Sequence, residues 1–414
     1  MTNRPFRALR HRDFSLFVFG QGAGILGYWI QQLAVHWLMY RLTGSALLLG
    51  LTFFAAQIPV LILGPIAGAV ADRVDRRAAF ICVQILQSAQ AFAMATLAYL
   101  GIIEPWHMIA LAVFLGATIA IELPMRHAYL PDLLDGREDL PNAVAVTSFV
   151  ASAGRLIGPS VAGVVIGVFS EATCFLINGC SYFIVLGTLL AIRRKPRIEA
   201  QQHRAVFRDL HAGAIYAWRC RPIRALLIVL AVISFMATPY QPLMPVFVAE
   251  AYHGGPETLG FLVAAAGFGA LSGTGYLAMR GGTHGLTRLI VLGAGCAGGA
   301  LLAFSITRWY PLSLVLMAIT GFGILATTVS VSMILQAIVE DHMRGRVMSL
   351  YTAAFLGVSP LGGFVAGATA DRIGAANTLA IGGACCACAA LALGRARKRL
   401  ATNMNEQAHP ERIS

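Results

Sequence analysis

Apolar residues run almost unbroken for about 20 positions at a time, and polar residues gather in the short gaps between the runs. A helix rising about 1.5 Å per residue needs about 20 residues to cross a hydrocarbon core of about 30 Å. Divided at their Gly, Pro and charged punctuation, the runs predict twelve such helices, at roughly 14–40, 46–71, 79–101, 106–133, 141–168, 172–192, 223–249, 257–279, 286–306, 311–339, 346–370 and 375–393. They do not alternate over about 10 residues, as the strands of a membrane β-barrel would. The expected fold class is an all-α membrane protein with twelve transmembrane helices.

Composition agrees. Of the 414 residues, 57% are apolar and 12% charged, against about 25% charged in a soluble chain. That excludes a disordered chain and argues against a cytosolic enzyme. A net charge of +12 would suit nucleic acid if it were gathered on one domain. Instead the basic residues sit between the apolar runs. With the N-terminus in the cytoplasm, inner segments hold 27 of the 31 basic residues. The outer loops hold Arg41, Arg308 and Arg372, and Arg155 lies inside the fifth run. This asymmetry places both termini in the cytoplasm. The lipid bilayer, not nucleic acid, is the expected partner. Met1 to Asp13 is polar and basic and the first run is long, which does not match a cleavable signal peptide. The eight cysteines read as packing residues, and no metal site is expected.

The longest gap, 193–222, divides the chain six plus six. The domains expected are an N-terminal bundle (1–192), a cytoplasmic linker (193–222), a C-terminal bundle (223–395) and a cytoplasmic tail (396–414). Phe207, Leu210, Ala214 and Ile215 fall at helical spacing and predict a short amphipathic helix in the linker. The halves repeat weakly. Gly158-Pro159-Ser160-Val161-Ala162-Gly163 resembles Ser359-Pro360-Leu361-Gly362-Gly363, and Leu49-Gly50 resembles Leu259-Gly260. Two pseudo-symmetric six-helix bundles around a midplane site form a secondary-transporter layout. No G-x-x-x-x-G-K-[ST] loop is present, so ATP is not the expected energy source. No catalytic residue and no cofactor is expected.

After the second run comes Gly68-Ala69-Val70-Ala71-Asp72-Arg73-Val74-Asp75-Arg76-Arg77. This resembles the G-x-x-x-D-R-x-G-R-R signature of the major facilitator superfamily. The resemblance implies that Gly68, Asp72, Arg73, Arg76 and Arg77 form an inner latch between the halves. Asp75 departs from the family, which usually has Gly there. Gly367 to Gly374 imitates the motif but falls on the outer side, where it reads as a turn. Gly27-Tyr28-Trp29-Ile30-Gln31-Gln32 in the first run is similar to the bacterial subgroup of the transmembrane secretion effector type, like enterobactin exporters. So are Pro124-Met125-Arg126-His127-Ala128 and Tyr240-Gln241-Pro242-Leu243-Met244-Pro245. That subgroup implies a bacterial inner-membrane protein, expected as a monomer. Gly154, Gly158, Pro159 and Gly163 resemble the fifth-helix motif of facilitator antiporters. There Pro159 would kink the helix and the glycines would allow tight packing.

Polar groups inside apolar runs carry the chemistry. Tyr28, Gln31 and Gln32 lie mid-run, where they either line a cavity or bond between helices. Gln241, Ser332 and Gln336 are further cavity candidates, and His36 reads as a packing residue. Glu122 is the one mid-span acid. Counted from the inner ends of the predicted helices, Glu122 and Arg155 both lie about 20 Å up. Opposite charges at one depth invite pairing, which predicts a proton-coupling carboxyl with Arg155 as partner or a static brace between helices, and Glu122 can also reach Arg126 at i+4. The expected function is proton-coupled export of a small organic compound such as a siderophore or drug. The alternatives are a facilitator for lysophospholipid or other lipid and a facilitator importing a small solute.

Overall fold

The computed structural model describes residues 7–71, 75–193, 214–280 and 285–408. Within them, side chains at 65, 66, 68–71, 76, 127, 128, 137 and 396–408 are not described. The long helices are α1 (Arg12–Thr43), α2 (Ala46–Ala71), α3 (Arg76–Tyr99), α4 (Pro105–Tyr129), α5 (Leu140–Val168) and α6 (Glu171–Ala191). After a short α7 at 214–219 come α8 (Arg221–Met236), α9 (Tyr240–Tyr252), α10 (Pro256–Met279), α11 (Leu286–Ile306), α12 (Tyr310–Ile338), α13 (Asp341–Thr352), α14 (Val358–Ile373) and α15 (Ala375–Ala408).

Eleven helical segments among the described residues are long and apolar enough to cross a membrane, with α8–α9 and α13–α14 each counted as one. This is a multi-pass membrane protein. Helix α1 has 32 residues and is long enough as well, but Gln21, Gln31, Gln32 and His36 dilute its apolar character. Boundaries follow local chemistry. Gly44 closes α1 at φ 62°, and Gly374 closes α14 at φ 86°. Both conformations are open to glycine at no steric cost. The string that imitates the latch motif, Asp371-Arg372-Ile373-Gly374, is thus the helix end and turn that the sequence predicts.

The seventh run breaks at 237–239, between α8 and α9, ahead of Pro242 and Pro245. The eleventh run carries a π turn at Ala353–Gly357 just before Pro360. Pro360 has no N–H to donate, and a π turn re-phases the backbone ahead of such a residue.

Contacts divide the chain into two units. The first is Met1–Leu48, Ala55–His203 and His253–Ala264. The second is Leu49–Phe54, Arg204–Tyr252 and Ala265–Ser414. In the first unit, α1 packs on α5 and α6, and α3 packs on α6 and α4. In the second, α8 packs on α14 and α15, and α11 packs on α15 and α12. The same pairing thus recurs, as the weak sequence repeat expects. The repeated motifs also meet. A Cβ on Gly260 would lie 2.5 Å from the carbonyl oxygen of Pro159, within the first unit. A Cβ on Gly50 would lie 2.5 Å from the carbonyl oxygen of Gly363, within the second. Backbone approach that close is possible only without side chains.

An apolar cluster around Phe14, Phe17, Phe80, Tyr129 and Leu133 fastens the α4–α5 junction to α1 and α3. Phe17 meets the Tyr129 ring edge-on at 5.9 Å. Phe19, Ile62, Phe149 and Phe183 are exposed.

Candidate coupling and substrate site

The polar groups of the first unit fall into two sets with different fates. Gln31 is buried. Its Nε2 donates to Oε1 of Gln90 at 3.0 Å, and its Oε1 accepts from Nδ2 of Asn178 at 2.8 Å. Gln90 donates in turn to the Leu111 carbonyl at 3.3 Å. These bonds tie α1 to α3 and α6, and α3 to α4. Gln31 therefore serves helix packing rather than an open cavity. Gln32 and Tyr28 form the other set. Both are half-buried, and Nε2 of Gln32 donates to the Tyr28 hydroxyl at 2.7 Å. His36 donates from Nδ1 to the Gln32 carbonyl at 2.7 Å, which suits its reading as a packing residue.

Glu122 is buried, at 7% exposure. Its partner is Arg126, one turn along α4, and Nε2 of Gln87 donates to its other oxygen at 2.8 Å. The expected Glu122–Arg155 pair is not formed. Helix α4 ends at Tyr129, and Leu130–Leu133 continue as a 3-10 turn. Glu122 has a cation one turn along its own helix, and this i,i+4 neighbour wins over a partner on α5. Arg155 lies instead over the Trp29 ring, 5.0 Å from its centroid.

The antiporter-like motif is what lets α5 sit against α1. A Cβ on Gly154 would stand 2.5 Å from Cγ2 of Ile25, and one on Gly158 2.5 Å from Cβ of Trp29. Gly163 faces α10 instead, 2.7 Å from the Pro256 carbonyl oxygen on the same measure. We expect Gly158→Val to push α5 off α1. Overpacking of this kind costs about 1–3 kcal/mol, to be read as a lowered unfolding temperature in detergent. An unchanged temperature would show that the helices separate freely here.

Of the expected latch, Asp72 and Arg73 lie outside the described residues, and the side-chain surroundings of Gly68 and Arg76 are likewise not described. Arg77 is described. It donates to the carbonyls of Leu189 and Leu190 at 2.9 and 3.0 Å, closing the end of α6 within its own unit. Asp75, the departure from the family pattern, is the N-cap of α3, accepting from the N–H groups of Arg77 and Ala78 at 2.9 and 3.2 Å. It sits at φ −61°, so this turn has no need of glycine.

In the second unit, Gln241 and Ser332 are half-buried and Gln336 is exposed. Nε2 of Gln336 donates to Oγ of Ser332 at 3.0 Å. Their neighbours Thr327, Thr328 and Ser330 are buried, so the polar face of α12 is mostly internal.

Sequence reasoning missed Gln87, Gln90, Asn178 and Trp29. The signal for the first two was present. Gln84, Gln87, Ser88 and Gln90 interrupt the apolar run of α3, and all four are buried. Polar side chains recurring within a span belong to the bundle interior.

Apolar helices in two units of repeated packing, with polar groups kept for the interior, define a polytopic membrane carrier. Residues 3–412 match the family described as transmembrane secretion effector. The chain belongs to this family of major facilitator superfamily transporters. Among its relatives is the staphyloferrin A transporter of Staphylococcus aureus, 26% identical over 388 residues, covering 93% of this chain and 96% of that one. Another is the multidrug efflux pump Tap of Mycolicibacterium fortuitum, 26% identical over 391 residues, covering 90% and 92%. The solved nucleoside transporter NupG shares the fold, with a TM-score of 0.72 at 11% identity, covering 92% of this chain and 98% of that one.

Proposed function

We propose that this transporter exports a small organic compound in exchange for protons. The observation that carries the reading is the Glu122 set. One carboxyl stands within the helical interior, held by a guanidinium and an amide that can keep or release it as its charge changes. Coupling through Glu122 with Arg126 as its partner replaces the pairing with Arg155. Relatives named as an efflux pump and a siderophore transporter support the outward direction and the substrate range. We assign the protein to the bacterial inner membrane as a monomer of twelve spans, α1 included, with both termini cytoplasmic. Its bundles are 1–192 and 223–395, joined by 193–222 and followed by the tail 396–414. Asp72, Arg73 and Arg76 are assigned to the inner latch, and Tyr28, Gln32, Gln241, Ser332 and Gln336 to the substrate path.

The test compares metabolites inside and outside cells with and without the gene. At least one compound should build up inside and be depleted outside when the gene is absent, and a protonophore should reproduce that pattern in the parent. Depletion inside the cells lacking the gene would make the protein an importer. Indifference to the protonophore would remove proton coupling.

A further inference from the structure

The charges of the first unit do not balance within the helices. Glu122 is offset by Arg126. That leaves Arg155, fifteen residues into α5, and among the described residues no carboxylate lies within ion-pair distance of it. A guanidinium this far inside a membrane helix needs a compensating partner. The Trp29 face, 5.0 Å away, supplies part of it by cation–π attraction. A guanidinium over a ring face keeps its N–H donors for a further partner.

Around this fork the geometry suits an oxyanion. The Tyr28 hydroxyl accepts from Gln32 at 2.7 Å, so its own hydrogen is available to donate. The Tyr28 ring meets the Trp29 ring edge-on at 5.6 Å, beside the face that carries Arg155. Gly158, one turn from Arg155, keeps α5 near enough to α1 for the stack to form. Unlike buried Gln31, the residues Tyr28, Trp29, Gln32 and Arg155 are all partly exposed.

We propose that Arg155, seated on Trp29 next to Tyr28 in the chain, binds a carboxylate of the transported compound, so that the substrate is an organic anion with a ring or apolar body. A bidentate guanidinium–carboxylate contact gives both charge balance and orientation. The proposal rests on the export reading for the word "transported". The binding it describes does not depend on direction or on protons.

The experiment uses the full chain in lipid nanodiscs without any gradient, and two dyes built on one xanthene scaffold. Fluorescein carries a free carboxylate and is anionic. Rhodamine 6G has its carboxyl esterified and is cationic. Fluorescence polarisation should show fluorescein binding saturably and at least about 10-fold more tightly, a factor that corresponds to about 1.4 kcal/mol. Arg155→Gln should remove that preference, and Arg155→Lys, which keeps the charge, should retain part of it. Equal or tighter binding of rhodamine 6G, saturable binding of neither dye, or a preference that survives in Arg155→Gln would overturn the proposal. If Arg155→Gln does not fold, the comparison of the parent with Arg155→Lys and with Trp29→Leu decides. Loss of the stack should weaken fluorescein binding and leave rhodamine 6G unmoved, and equal effects on both dyes would count against the site. Failure of the export reading would appear in the metabolite comparison and not in these titrations.

Discussion

Glu122→Gln should abolish proton-driven accumulation of substrate while leaving movement down a concentration gradient intact. The amide matches the carboxyl in size and still accepts from Gln87, whose Nε2 lies 2.8 Å from Oε2 of Glu122. What it loses is the capacity to take up and release a proton. The sequence has no other acid in the middle of a span and no nucleotide loop, so no second carboxyl in a span stands ready to replace it. We expect at least about a tenfold fall in steady-state accumulation across a pH gradient, the effect of removing a coupling worth about 1.4 kcal/mol or more. Everted vesicles with and without a pH gradient measure it. If the variant still concentrates substrate as the parent does, Glu122 is a static brace, and coupling belongs to His36, His127 or Asp72.

The second large effect concerns stability and separates Arg126 from Arg155. Arg126→Ala removes the ion-pair partner of a carboxylate that is only 9% exposed along its side chain. Stranding a buried charge costs about 3 kcal/mol or more. The double change Glu122→Gln with Arg126→Ala leaves no stranded charge and should recover most of that loss. Arg155→Ala should behave differently. It leaves no carboxylate without a partner and forfeits a cation–π contact, worth about 0.5–1 kcal/mol at a partly exposed site. Thermal unfolding of the parent, these three variants and the Glu122→Gln, Arg155→Ala double variant in one detergent tests the set. A loss in Arg155→Ala as large as in Arg126→Ala, with rescue by Glu122→Gln, would restore the pairing that equal depth had suggested.

Much of this protein follows from local spacing. Long apolar runs in a chain that must satisfy its backbone within each segment have to be helices. Their ends follow from residues that act at short range, such as Gly44, Gly374 and the capping carboxylate of Asp75. The reach of Glu122 to Arg126 across one helical turn is also a short-range fact, legible from the i,i+4 spacing. The tertiary structure decided the rest, because it depends on which helix faces meet and at what height. The packing of α5 on α1 seated Arg155 over Trp29, while Glu122 took Arg126 and Gln87. The crossing of α1 with α3 and α6 turned Gln31 into a packing residue through Gln90 and Asn178. Trp29 reads as one more apolar side chain until Gly158 brings α5 against it. The repeated motifs are visible in the chain as similar strings. That Gly260 meets Pro159 and Gly50 meets Gly363 is a matter of backbone approach, which no periodicity within one helix encodes.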